Sequence, residues 1–226
     1  MIIAIDGPAG SGKSSTAKAV AARLGFRHLD SGAFYRTLTL AALQRAIPAD
    51  TWNELDGPAL ANFKIDAQPS ENGFKFSIGD DDVTNEIRSP EVNAHVSQMA
   101  AVRAVREWLL ERLRSVAKST SLVADGRDIG TVVFPQADLK IFLVAQSEIR
   151  ARRRLTEQGN LTPSKIDIQN EVDRLGRRDR MDSQRAVAPL KQAEDAVVID
   201  TTDLSFDEQV EEIVRLARER MADLDA

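Results

Sequence analysis

The sequence predicts an α/β protein: a three-layer P-loop fold with a central parallel sheet, a small inserted antiparallel β-sheet and a helical lid. Three observations predict it. First, Gly7-Pro8-Ala9-Gly10-Ser11-Gly12-Lys13-Ser14 matches G-x-x-x-x-G-K-[ST]. It lies between an apolar run ending at Asp6 and a helical stripe of Ala17, Val20, Ala21 and Leu24. Second, apolar runs recur at Leu122–Asp125, Lys140–Val144 and Ala196–Asp200, interleaved with helical patterns, as parallel sheets require. Third, the chain changes character from Asp50 to Asp82, where turn signals at Gly57-Pro58, Pro69-Ser70, Asn72-Gly73 and Gly79-Asp80 separate runs of period two, so an inserted sheet is expected over Asp50–Ile87.

The loop carries chemistry. Glycines let the backbone turn tightly with its N–H groups facing inward, and the following helix adds partial positive charge. Lys13 is placed for the β- and γ-phosphates of a nucleoside triphosphate, and the Ser14 hydroxyl for Mg²⁺. The motif alone leaves open what the triphosphate is used for.

Composition limits the options. A chain of 226 residues with 42% hydrophobic content can bury a sizeable core. It has no cysteine, which excludes disulfides and thiolate metal sites, and no apolar run long enough to span a membrane. The strand-like start leaves no room for a leader, so a cytoplasmic protein is expected. A net charge of −5 argues against a general nucleic-acid binder. The charge is uneven: Ser147–Arg185 has ten Lys/Arg against seven Asp/Glu, whereas Glu194–Ala226 has three against eleven.

In chain order, Phe26–Asp30 reads as a second strand and Ala33–Ile47 as a helix, with Ser31-Gly32 between them. Ligands of open α/β sheets bind at the carboxyl ends of strands, so Arg36, about a turn into the helix, is placed to clamp a second phosphate; the competing reading is that Tyr35 and Arg36 are ordinary surface residues. Phe63–Asp66 and Phe74–Ile78 alternate as half-buried strands, and Asn72-Gly73 reads as the turn between them. Ser89-Pro90-Glu91 opens a helix with stripes of Val92, Val96 and Met99, then Val102, Val105, Leu109, Leu113 and Val116. Ser119-Thr120-Ser121 reads as a loop before the strand ending at Asp125, a candidate Mg²⁺ ligand. Gly126-Arg127-Asp128-Ile129-Gly130 follows, a poor turn but a plausible ligand clamp. His28 and His95 have no metal-ligand company and are read as structural or surface residues.

Two Arg-rich helical patterns flank a break at Gly159-Asn160 and Pro163. Arg150, Arg153 and Arg154 share one face, and Arg174, Arg177 and Arg178 another. A hairpin with these arginines inward suits a lid over phosphates; a solvated charged face is the competing reading. Arg185–Leu190 looks extended, Ala196–Asp200 is a last buried strand, and Ser205 caps a final helix striped by Phe206, Val210, Ile213, Val214 and Ala217. The expected division is a core (1–49, 88–146 and 186–226), an inserted subdomain (50–87) and a lid (147–185).

Strand, glycine loop and arginine lid outline a P-loop kinase. No guanine-reading sequence of a GTPase is apparent. The chain closely resembles one family, the bacterial cytidylate kinases, over nearly its whole length. The resemblance rests on Ile5–Lys13, Leu29–Arg36, Glu86-Ile87-Arg88, Ala124–Pro135, Arg178-Asp179 through Asp182, and Arg185–Leu190.

It implies phosphorylation of CMP and dCMP by ATP with Mg²⁺, and an inserted sheet that binds the monophosphate. It further implies that Gly7, Pro8, Ala9, Gly10, Ser11, Gly12, Lys13, Ser14 and Ser15, with Arg154 of the lid, hold ATP, and that Ser14 and Asp125 serve the metal. Arg36 and Arg127 would clamp the CMP phosphate. Ser31, Arg106 and Asp128 would face the base, with Tyr35 alongside and Arg185 on base or phosphate. Ser97, Arg178 and Asp182 would lie near the ribose. Lys13, Arg127, Asp128, Arg178 and Arg185 are the expected catalytic set. An Asp suits cytosine, because it accepts from the exocyclic amine and repels uracil's carbonyl.

Ser97 and Arg106 are nine residues apart, on opposite sides of a continuous helix. If both touch CMP, the helix must break near Ala100–Arg103. Family members often carry proline there, and this chain has Ala101-Val102. The expected partners are small molecules, with neither nucleic acid nor membrane, and a monomer is expected. Rival readings are a UMP, AMP or shikimate kinase, or an ATP-gated module without transferase activity.

Overall fold

The computed structural model describes residues 1–70, 73–117 and 120–225. β1 (Ile2–Asp6) runs through the glycine loop into α1 (Lys13–Leu24), and β2 (Arg27–Asp30) into α2 (Ser31–Gln44). A 3₁₀ turn (Ala49–Glu54) and the short α3 (Gly57–Ala61) precede β3 (Ile65–Ser70), β4 (Gly73–Ile78) and β5 (Asp81–Asp82). Next come α4 (Pro90–Met99), α5 (Arg103–Val116), β6 (Leu122–Gly126), a single π-helical turn (Ile129–Val133) and β7 (Leu139–Val144). α6 (Ser147–Glu157) and α7 (Lys165–Gln184) form the arginine-rich hairpin, followed by β8 (Val197–Asp200) and α8 (Phe206–Asp225).

The main sheet has the order β2-β6-β1-β7-β8, and its pairs are parallel. Its apolar residues alternate between two helical layers, as strands buried on both faces must. Ile3, Ile5, Val123, Ile141 and Leu143 pack on α1 and α8. Ala4, Leu29, Leu122 and Ala124 pack on the other side, against α2 and α5. Register then sets the functional edge: Asp6 lies opposite Gly126, and Asp30 opposite Asp125. The ends of β1, β2 and β6 therefore open at one level.

The antiparallel order β3-β4-β5 is present, but it is not buried on itself. Phe76 meets Phe34 of α2 edge-on at 5.0 Å, and Trp52, Leu60, Phe63, Val83 and Ile87 join the same apolar cluster as α2 and α5. Several expected boundaries shift. Lys64 adopts a φ of 53°, which keeps Phe63-Lys64 out of β3, while Pro69-Ser70, expected as a turn, extends the strand. Gly57-Pro58 opens α3 rather than a turn: the Asp56 carboxylate accepts the Ala59 N–H at 2.8 Å, and proline suits the first helical turn. The Asn72 part of the expected turn and Ser119 of the expected loop lie outside the described residues.

Three further corrections concern exposure and backbone. β8 is an edge strand, with Val197 and Val198 exposed, not a buried one. Phe206 is also exposed, because it opens α8 ahead of the stripe that meets the sheet. Arg185–Leu190 bends rather than running extended, with Ala188 at a φ of 48°.

The helix after Pro90 does break. α4 stops at Met99 and α5 starts at Arg103, with Val102 extended (φ −70°, ψ 120°). The Val102 N–H reaches the Met99 carbonyl at 3.2 Å and its own carbonyl accepts from Arg106, so the corner is hydrogen-bonded without proline. Ser97 and Arg106 consequently face the same cavity.

Candidate active site

A cleft of about 360 Å³ opens at the carboxyl ends of β1, β2 and β6. Its donor side is the glycine loop. A side chain at Gly7 would place its Cβ 2.3 Å from the Leu143 carbonyl oxygen, so only glycine lets the loop pass this close to β7. Helices α6 and α7 hold the loop from the other side: the Ala9 N–H donates to Asp179 at 2.8 Å, and Arg150 donates to the Ala9 carbonyl at 2.8 Å. Ala9, Gly10, Gly12, Lys13, Ser14 and Ser15 line the cleft. Gly7, Pro8 and Ser11 do not, and the Ser11 hydroxyl is buried without a partner among the described residues.

Lys13 is buried, and its ammonium donates to the Pro8 carbonyl at 3.1 Å. Burial, with Arg127 and Arg178 adding repulsion, pushes it down to about 7. Arg178 is pushed down to about 9 by burial and by Arg127 and Arg36, and its Nε has no partner among the described residues. These cations crowd one another, and Asp125 and Asp182 offset the crowding only in part.

The acceptor side comes from α2, the α4–α5 corner and the end of β6. Ser31 donates to the Asp125 carbonyl at 2.8 Å, and a Cβ at Gly126 would sit 2.5 Å from the Ser31 hydroxyl. Arg127 binds Asp182 at 2.9 Å. Burial raises the Asp182 carboxyl, but Arg127, Arg178 and Arg185 outweigh it and hold the group low. Asp128 is gripped by two buried arginines, Arg106 and Arg185, the latter at 3.2 Å. Arg106 also lies over the Tyr35 ring, 5.3 Å from its centroid. A carboxylate has about four lone-pair sites, so Asp128 keeps capacity for a further donor.

The expected residues Ser31, Tyr35, Arg36, Ser97, Arg106, Asp125, Arg127, Asp128, Arg154, Arg178, Asp182 and Arg185 line the same cleft as Lys13. The arginines of α6 and α7 divide differently from expectation. Arg154 and Arg178 face inward, but Arg153 turns to Thr201, Arg150 to Ala9 and Asp179, and Arg174 to Glu171. Arg177 borders an outer groove instead. A helix face of three arginines spans about 100–140°, wider than the cleft can take from each helix.

Sequence reasoning missed three neighbours. His28 meets Asp125 at 2.8 Å, a contact that fits the structural reading given to it, although its partner was not foreseen. Burial opposes its protonation, but Asp125 wins and raises it. Asp30 pairs with Arg88 at 2.8 Å and lies 4.0 Å from Arg36. Burial there is outweighed by Arg36, Arg88 and His28, which take Asp30 down to about 2. The available signal was period two along β2, which puts His28 and Asp30 on one face.

The residues fit a divalent cation. The Ser14 hydroxyl lies 2.5 Å from Asp125 Oδ2, giving two hard oxygen donors at the start of α1. Mg²⁺ is commonly held by one or two protein oxygens, with phosphates and water completing its shell.

A phosphate-binding loop on the central strand, facing a guanidinium-rich pocket beneath an arginine hairpin, defines a P-loop kinase of small molecules. The comparisons narrow the class. The cytidylate kinase family model matches residues 3–219, and the chain belongs to that family. It is 47% identical over 220 residues to a cytidylate kinase of Geobacillus sp. (strain WCH70), covering 97% of each chain. It is 43% identical to a bifunctional pantoate ligase/cytidylate kinase of Synechococcus sp. (strain CC9902), covering 98% of this chain and 46% of that one. An uncharacterised protein from Eubacterium ventriosum ATCC 27560 shares the fold, with a TM-score of 0.50 at 11% identity over 96% of this chain and 97% of that one.

Proposed function

We propose that the protein transfers the γ-phosphoryl group of ATP to CMP and dCMP, giving ADP and CDP or dCDP. The observation that carries this is the single cleft in which Lys13 faces Arg36, Arg127 and Arg185. ATP lies on the glycine loop, with Lys13 on its β- and γ-phosphates. Arg36 and Arg127 clamp the CMP phosphate, Ser97, Arg178 and Asp182 border its ribose, and Asp128 accepts from the cytosine amine. Ser14 and Asp125 would hold Mg²⁺, which would supply charge neutralisation and orientation of the phosphates.

In the reaction, a CMP phosphate oxygen forms a bond to Pγ, and the bond from Pγ to the β,γ-bridging oxygen breaks, its electron pair leaving on ADP. That nucleophile is already anionic, so no general base is needed. The chain's contribution is alignment, charge compensation by Lys13, Arg127, Arg178 and Arg154, and exclusion of water by α6 and α7. Residues 147–185 act as the lid and 50–87 as the acceptor-side subdomain. The protein works as a cytoplasmic monomer, which sizing chromatography checks.

A coupled ADP-release assay across CMP, dCMP, UMP and AMP tests the proposal. Turnover is expected with CMP and dCMP well ahead of the other two. Preference for UMP or AMP, or ADP release with none, would sink it.

A further inference from the structure

Asp6 closes β1 one residue before the glycine loop, and the reaction above does not use it. It is buried, at 4% exposure. Its two carboxylate oxygens accept consecutive backbone N–H groups, from Ile129 at 2.9 Å and from Gly130 at 2.8 Å. These amides open the π-helical turn that directly follows Arg127 and Asp128, so they have no carbonyl partner inside that turn. Such turns concentrate at functional positions. The fit is close: a Cβ at Gly130 would lie 3.2 Å from Lys140 Cδ and 3.5 Å from Asp6 Oδ2.

We propose that Asp6 is a positioning residue that fixes the acceptor clamp of Arg127 and Asp128 relative to the donor loop. One carboxylate joins the two halves of the site: its own backbone leads into Gly7, and its oxygens hold the segment bearing the clamp. The inference rests on the kinase reading above. Burial, assisted by Asp128 and opposed by the two amides and Lys13, pushes Asp6 up to about 6. A buried charge at neutral pH is a poor way to stabilise a fold, so its value lies in the geometry it enforces. The donor loop has separate anchors at Ala9, from Asp179 and Arg150. Loss of Asp6 should therefore fall on the acceptor side.

Asp6→Asn tests this, because the amide offers one acceptor and turns an N–H₂ toward the other backbone N–H. KM for CMP is expected to rise about tenfold while KM for ATP stays within about twofold. The preference for CMP over UMP should fall about tenfold as Asp128 shifts. Amide hydrogen exchange at Ile129 and Gly130 should accelerate. Unchanged KM for CMP with unchanged selectivity overturns the proposal, as does a parallel rise in both KM values. If Asp6→Asn does not fold, Asp6→Glu, which displaces the turn by one methylene, must show the same split. Wild-type turnover measured alongside separates the two readings. If the wild type ignores CMP, the kinase reading falls, and the exchange rates alone decide whether Asp6 holds the turn.

Discussion

Lys13 pays for its position in charge. Its ordinary value of 10.5 falls to about 7, so over that window the unfolded chain holds a proton the folded chain lacks. Stability should therefore rise with pH from about 7 to 10.5 on this group's account. Lys13→Met removes the buried charge. It is expected to raise Tm, at ~2–4 °C per kcal/mol for a chain of this size, while lowering turnover by orders of magnitude. Scanning calorimetry beside the ADP assay checks both. A triphosphate should restore the proton, so its binding near pH 8 takes up protons and weakens as pH rises further. Titrations in buffers of different ionisation enthalpy read that directly. Asp128→Ala leaves Arg106 and Arg185 buried and unpaired, which costs about 3–5 kcal/mol, or on the order of 10 °C in Tm. It should also narrow the gap between CMP and UMP in the same assay. At this scale Gly7–Ser15 was legible because the chemistry is written in contiguous spacing. The pairing of His28 with Asp125, or of Asp6 with Ile129 and Gly130, was not, because it depends on which strands become neighbours.

The corner between α4 and α5 shows how an element can be inferred from a ligand requirement. If Ser97 and Arg106 both touch one ligand, a single straight helix cannot carry them, and the chain breaks the helix at Ala100–Val102. Val102 is already extended as a residue before proline should be, and Arg103 is the first residue of α5, where an N–H has no helical partner. Among the described residues, the side chain of Arg103 makes only an exposed pair with Glu107 at 3.7 Å. Arg103→Pro is therefore expected to retain turnover and to add ~0.4–1 kcal/mol by restricting the unfolded chain, seen as a small rise in Tm. The continuous apolar runs of β1 and β6 and the helical stripe of α5 were readable, since each pattern matches its burial. α3 and the full length of β3 were not. Proline and glycine there serve a helix start and an edge-like strand, which local turn propensity cannot distinguish.

For the whole molecule, fold and site are one statement: a parallel sheet with β1 between β6 and β7 gathers the glycine loop, Ser14 with Asp125, and the Arg127-Asp128 segment at the carboxyl ends of its strands. Saturating CMP at about a hundred times its Kd should stabilise the folded state by ~2.7 kcal/mol, read as a rise in Tm that UMP at equal concentration does not reproduce. The inserted sheet was legible as a sheet. Its fusion with the α2 cluster was not, since the sequence does not say which face Phe76 shares with Phe34. The central place of β1 also has a temporal side. Ile2 pairs with Leu122 and Ile3 with Leu139, so β1, once synthesised, has no sheet partner until more than a hundred further residues are made. At ~5–20 residues per second, that is a wait of roughly ten seconds. During synthesis, Ile2–Ile5 is an unpaired apolar edge exposed to chaperones, and nascent chains ending before β7 should stay open to protease.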